Sequence, residues 1–262
     1  MAVYRWKNCW CPSSKSRGSR LEQKSKTFFI GFDRYVQLDW CGLALEAATG
    51  SKTIDDVKAQ IAAVLTGVES RRKTFDILKR LWLQPLPALA DFSTRGIDLF
   101  RTYGADSLTP LNWGCAMVTY PFFGKTAEIT GRLLSIQGDC SIKEVQRRMA
   151  EIYGDRDGVA RAVSRVLQSQ ENWGLIERVE DGKRLVRKPP VAVTNDRTTI
   201  WLVEAALRHA GTAIQAATIP SMGAIYPFAL ERPIGYLASQ SSELELRSEG
   251  STNQFVALRD AR

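Results

Sequence analysis

The sequence predicts a mainly α fold with small β-hairpins: a helical N-terminal domain, a central unit of three helices closed by a hairpin, and a small α+β C-terminal region. Three observations predict it. Apolar residues recur at three- and four-residue spacing through most of the long segments, strict alternation is confined to short paired runs, and Gly, Pro and capping residues punctuate the rest. A chain of 262 residues, 44% of them hydrophobic, can bury a core and is long enough for two or three small domains. The boundaries fall at 1–26, 27–110, 111–190 and 191–262.

The first segment, MAVYRWKNCWCPSSKSRGSRLEQKSK, is a basic arm poor in aliphatic residues, expected to be flexible until it meets a partner. Residues 1 to 30 hold seven basic groups against Glu22 alone, so six of the eight net positive charges sit there and the remainder carries two. Tyr4, Trp6 and Trp10, interleaved with Arg5 and Lys7, could stack on bases or pack on the protein's own surface. The arm has no apolar stretch of secretory length; its basic, Ser-rich content overlaps with organelle transit peptides but lacks their amphipathic period.

In the helical domain Thr53 caps a helix bearing Val57, Ile61, Val64 and Leu65, with Asp55 and Asp56 in the first turn, and Gly67 ends it. Ser70 starts the next, whose apolar stripe is Phe75, Leu78, Leu81 and Trp82. Arg71, Arg72 and Lys73 would crowd its first turn, where the helix dipole disfavours cations unless an anion such as a phosphate offsets them. The alternative is simple solvation. Gln84-Pro85-Leu86-Pro87 breaks this helix, and ADFSTRGIDLFRTYG and LNWGCAMVTYPFF lead into the central unit.

There Lys125 to Ile136 forms a first helix with Ile129, Leu133 and Ile136 on one face. Ser141 with Glu144 three residues on is a capping-box pattern that places a second helix near 142 to 153, with Ile142, Val145, Met149 and Ile152 inward and Lys143, Arg147 and Arg148 outward. Gly154 stops it. Asp155 caps a third helix, near 155 to 170, which begins with Arg156 and sets Val159, Val163, Val166 and Leu167 opposite Arg161, Ser164, Arg165 and Gln168. LIERV and KRLVRK, joined through Glu180-Asp181-Gly182, make the hairpin and carry Lys183 and Arg184. Helix, turn, helix and hairpin in this order predict a winged helix-turn-helix. Its third helix would enter the major groove of duplex DNA, where Arg forks onto guanine or phosphate and Gln exchanges bonds with adenine. From 141 to 188 eleven basic residues stand against eight acidic ones, a mild positive bias.

The C-terminal region reads as a helix over 197 to 210 with Ile200, Leu202, Val203, Ala206 and Leu207 largely buried, a Pro/Gly loop IPSMGAIYPFALERP, and a hairpin of SELELR and QFVALR around SEGSTN.

Catalytic and metal chemistry find few players. Cys9, Cys11, Cys41, Cys115 and Cys140 make no CxxC pair and His209 is the one histidine, so a four-ligand zinc site is not expected. An odd cysteine count without a secretory signal points to reduced thiols in the cytoplasm, and no apolar run approaches membrane-spanning length. Gly124-Lys125-Thr126 resembles the end of a phosphate-binding loop, but Thr119 stands where its first glycine belongs. His209 is expected to close a helix through the macrodipole.

The succession of ESRRKTFDILKRLW, WGCAMVTYPFF and GDRDGVARAVSRVLQSQENWGLIE is similar, in arrangement over residues 30 to 215, to the helical accessory protein A of BREX (bacteriophage exclusion) phage-defence islands. That resemblance implies a non-catalytic, double-stranded-DNA-binding defence accessory. The chain departs from it in the basic arm and the C-terminal hairpin. The expected function is therefore duplex-DNA binding by the third helix and wing, assisted by the arm. No enzyme activity, cofactor, metal, membrane or small-molecule substrate is expected, and other subunits of a defence complex are further partners. The alternatives are a subunit docking on protein through the same helix face, and an RNA-binding helical protein.

Overall fold

The computed structural model describes residues 29–249 and 253–259. The arm, residues 1–26, with its aromatic and basic groups and Cys9 and Cys11, lies outside the described residues, as does the tip of the C-terminal hairpin.

The N-terminal helices are α1 (Leu38–Thr49), α2 (Ile54–Val64), α3 (Val68–Leu78), α4 (Ala90–Tyr103) and α5 (Ala105–Thr119). Thr53 and Asp56 form a complete reciprocal capping box at α2. Two expectations change in this part. Gly67 opens α3 instead of closing α2, so the helix starts at Val68 and includes Glu69, and a wider π-helical turn over Lys79–Leu83 extends it. The boundary drawn between 110 and 111 falls inside α5, which runs unbroken through Pro110.

The central unit comprises α6 (Pro121–Gln137), β1 (Asp139–Ser141), α7 (Ile142–Tyr153), α8 (Asp157–Asn172), β2 (Ile176–Val179) and β3 (Arg184–Arg187). Pro121 sits at the first position of α6, where its missing N–H costs nothing, so the helix begins four residues before Lys125. Ile136, expected inward, is 78% exposed at the end of that helix. The hydroxyl of Ser141 accepts the Glu144 N–H at 3.1 Å, but only half of the expected box forms, since Ser141 is also the last residue of β1, opposite Arg184. Arg156, not Asp155, is the N-cap of α8. β1 itself was not expected; it pairs antiparallel with β3, giving the order β1-β3-β2.

The last part contains β4 (Val191–Val193), α9 (Asp196–Ala210), β5 (Ile214–Gln215), β6 (Phe228–Leu230), α10 (Ile234–Gln240), β7 (Leu244–Glu249) and β8 (Asn253–Leu258). β7 and β8 form the expected antiparallel hairpin, with β5 added on β8. The segment read as a Pro/Gly loop holds two short 3₁₀ turns, over Ala216–Ser221 and Gly223–Ile225, and ends in β6, which pairs parallel with β4.

One contiguous core runs from Phe32 to Val256, so the sequence segments pack as one body of mainly helical character. Its centre is aromatic. Trp113 of α5 donates its indole N–H to the Ala224 carbonyl at 2.8 Å and meets Phe123, Trp173, Tyr226 and Phe228 edge-on. Trp201 of α9 stacks on Phe92 with centroids 4.1 Å apart. It fits because Gly96 and Gly114 leave space: a Cβ on Gly114 would lie 2.5 Å from the Trp201 ring. Truncating such a buried tryptophan to alanine typically costs about 3–5 kcal/mol.

Candidate nucleic-acid interface

α8 presents two faces. Val159, Ala162, Val163, Val166, Leu167, Ser169 and Gln170 are buried, whereas Arg161 and Arg165 are exposed. The inner face is locked from two sides. Gln146 of α7 donates to the Ala160 carbonyl and the Ser164 hydroxyl, each at 3.0 Å. At the other end Ser169 accepts the Val36 N–H and Asn172 the Leu38 N–H, both at 2.9 Å, while the Trp173 indole donates to the Val36 carbonyl at 3.0 Å. A strap leading into α1 thus clamps the C-terminal end of α8. A helix held this way offers its outer side chains with little reorganisation, as a recognition surface requires.

The expected site residues separate into three groups. Arg161 bonds the Asp157 carbonyl at 3.3 Å, Arg165 the Gln168 side-chain oxygen at 2.9 Å, and Arg156 the Tyr153 carbonyl at 3.0 Å. Each of these partners is a neutral oxygen, so the guanidinium charges stay uncompensated locally, and most of their five donors remain available. Lys183 is exposed in the hairpin turn, where Glu180, Asp181 and Gly182 all take positive φ.

The second group carries charge that is already partnered. Arg147 meets Glu151 at 2.7 Å and Arg148 approaches Glu144 at 3.9 Å. Arg184 grips both oxygens of Asp139, which holds that carboxyl below its usual range; it ties β3 to β1 instead of pointing outward from the hairpin. Ser164 is likewise spoken for, bonded between Gln146 and Ala160 in the α7–α8 contact. Both are corrections to the expected DNA-facing set.

The third group lies elsewhere. Arg71, Arg72 and Lys73 belong to α3, which packs against α1 and α2, while α8 packs against α6 and α7. Arg72 bonds Glu69 at 2.8 and 3.0 Å and Asp76 at 3.0 Å, and Lys73 lies 3.5 Å from Glu69. For Arg72 and Lys73 the anion that the sequence asked for is supplied by the helix itself.

No protein-family model matches this chain, and no curated protein or solved structure matches it.

Exposed basic residues of α7 and the hairpin outside the expected set are Lys143 on the first turn of α7, Arg187 at the end of β3 and Lys188 just beyond it. Their position on the polar side of an amphipathic helix and at a strand end was the available signal. Opposing them are exposed Glu180 and Asp181 at the hairpin tip. Among the described residues no group of three or more His, Cys, Asp or Glu gathers to hold a metal. Cys41, Cys115 and Cys140 are buried, and burial pushes the Cys115 and Cys140 thiols up to about 12, which suppresses the thiolate that nucleophilic chemistry needs. No helix among the described residues is long and apolar enough to cross a membrane.

Proposed function

We propose that this chain is a non-catalytic duplex-DNA-binding protein built on a winged helix, with α6, α7 and α8 as its three helices, α8 as the recognition helix and the β2–β3 hairpin as the wing. One observation carries the reading: Arg161 and Arg165 stand on the outer face of a helix whose inner face is buried, and neither meets a carboxylate. The order α6, β1, α7, α8, β2, β3 with the sheet order β1-β3-β2 supports it, as does the exposed Lys183. Arg156, Arg161, Arg165, Gln168 and Lys183 form the core of the proposed contact, with Arg147 and Arg148 at its border. The proposed role as a phage-defence accessory rests on the order of segments along the chain. The test is fluorescence anisotropy with a labelled duplex, the matching single strand and an RNA hairpin over a salt series. Duplex binding should be tightest, with log affinity falling by about 0.9 per phosphate contact for each log unit of salt. Tighter binding of RNA, or no salt dependence, would overturn the reading.

A second reading has its own support. Glu180 and Asp181 at the wing tip repel phosphate, and Ile152 is exposed at the end of α7, features that suit docking on a partner protein. Replacing Glu180 and Asp181 by Asn separates the two: the charge removal tightens DNA binding if the wing approaches phosphate and leaves it unchanged if the wing meets protein.

A further inference from the structure

Gly124, Lys125 and Thr126 do not form a loop; they occupy the start of α6 and each meets a different environment. Thr126 is buried and bonds the Phe122 carbonyl. Gly124 has its Cα against the His209 ring, where a Cβ would lie 2.5 Å from Nδ1. Lys125 turns into a cleft of about 480 Å³ between α6, the end of α9 and the 3₁₀ turns over 216–225. The cleft is within the size range of small-ligand sites, about 300–1,000 Å³.

Its donor and acceptor inventory is asymmetric. Glu128 is the one carboxylate among the lining residues, and it is occupied: Lys125 reaches Oε2 at 2.5 Å, His209 Nε2 lies 3.4 Å from the same oxygen, and Arg132 reaches Oε1 at 3.0 Å. The contacts of His209, foremost, and of Lys125 hold the Glu128 carboxyl well below its usual range, so it is ionised and engaged. Lys125 and Arg132 each spend one donor on it and keep the rest, out of three and five. On the wall formed by the 3₁₀ turns the Ser221 hydroxyl donates to the Thr218 carbonyl and the Thr218 hydroxyl to the Gln215 carbonyl, so each hydroxyl has its proton committed and keeps its acceptor capacity. One wall therefore offers cationic donors and the other neutral acceptors.

We propose that this cleft binds a small phosphate monoester bearing hydroxyl groups, its phosphate on Lys125 and Arg132 and its hydroxyls on Ser221 and Thr218. A phosphate, with a charge near −1.5 to −2 at pH 7 and three acceptor oxygens, matches the spare donors better than a carboxylate with one charge and two oxygens. Hydroxyls on the ligand complete the acceptors opposite, which inorganic phosphate cannot span.

Titration calorimetry of the full chain with ribose 5-phosphate, ribose and inorganic phosphate tests this. Ribose 5-phosphate should bind, the other two at least about ten-fold more weakly, and the double variant Lys125→Met/Arg132→Gln should lose about ten-fold or more in affinity for the ester, as loss of charge-assisted bonds implies. Arg132 is 71% exposed, and Glu128 keeps His209, so the variant should melt near the parent. Ser221→Ala, at an exposed hydroxyl, gives a second reading of the same site with a smaller loss. No heat from ribose 5-phosphate, undiminished binding by the double variant, or inorganic phosphate binding as tightly as the ester would each overturn the proposal. Duplex-DNA affinity of the double variant should match the parent, so failure here is distinct from failure of the DNA reading.

Discussion

The chain contains two helix pairs of similar make, α2–α3 and α7–α8. In each a hydroxyl residue caps the first helix, a short turn follows, and the second helix carries a cluster of arginines. They differ in where the charge goes. On α3, Glu69 and Asp76 stand one turn to either side of Arg72 and take its donors, and the Arg72 hydrogen bond holds the Glu69 carboxyl down to about 2. On α8, Arg161 and Arg165 meet only a carbonyl and an amide oxygen. The number of basic residues in a helix therefore says little about attraction for a polyanion; what counts is the charge that the fold leaves uncompensated on a rigid surface.

The largest effect expected from this contrast is between two double variants. Arg161→Ala/Arg165→Ala should weaken duplex binding at least about ten-fold, since each groove contact contributes about 1–3 kcal/mol, while Arg72→Ala/Lys73→Ala should stay within about two-fold of the parent. Anisotropy titrations at one salt concentration decide it; equal losses in both would break the comparison. Next is the hairpin, where neighbours should part company. Lys183→Ala should reduce affinity and the salt slope without moving the melting temperature, whereas Arg184→Ala should lower the melting temperature by a few degrees, because it removes the Asp139 tie between β3 and β1. Thermal melts beside salt titrations separate these outcomes.

Exchanging partners should give a smaller effect. Gln168→Glu would supply Arg165 with the kind of carboxylate that Arg72 already has, and is expected to weaken DNA binding a few-fold; Glu69→Gln would release Arg72 and Lys73 and strengthen non-specific binding slightly at low salt. The smallest effect is with pH. A depressed carboxyl stabilises its pair above the ordinary Glu range and loses that contribution only as pH falls from there through its lowered value of about 2. Between pH 5 and 8 Arg72 and Lys73 should therefore stay paired, and Arg72→Ala/Lys73→Ala should track the parent's DNA affinity across that window. A divergence of the two curves above pH 5 would show that Glu69 does not hold these cations.

Features governed by residues a few positions apart were legible in the chain. Thr53 and Ser141 announce helix starts because a side chain there reaches an N–H three residues on, and both accept that bond. The alternation around SEGSTN predicts the β7–β8 pairing, and Val159, Val163, Val166 and Leu167 mark the buried stripe of α8. Glu69 was within reach too: it stands three residues before Arg72, and starting α3 at Ser70 left it outside the helix. Asp139 is of another kind, 45 residues from Arg184 with nothing local to connect them.

By itself, then, the sequence determined the helices that carry a clear cap and stripe (α2, α3, α6 to α9), where the hairpins turn and which side of α8 is apolar, because these depend on backbone geometry and solvation over one or two turns; α1, α4, α5 and α10 were not read from it. Tertiary structure alone decided which polar side chains are spent on partners in other elements. It assigned Ser164 to Gln146, Arg184 to Asp139 and His209 to Glu128, and it joined the segments into one core by fitting Trp201 against Gly96 and Gly114. Hydrogen bonds and ion pairs act over about 3 Å in space whatever the distance along the chain, so only the packing of helices against one another settles which charges remain for a partner.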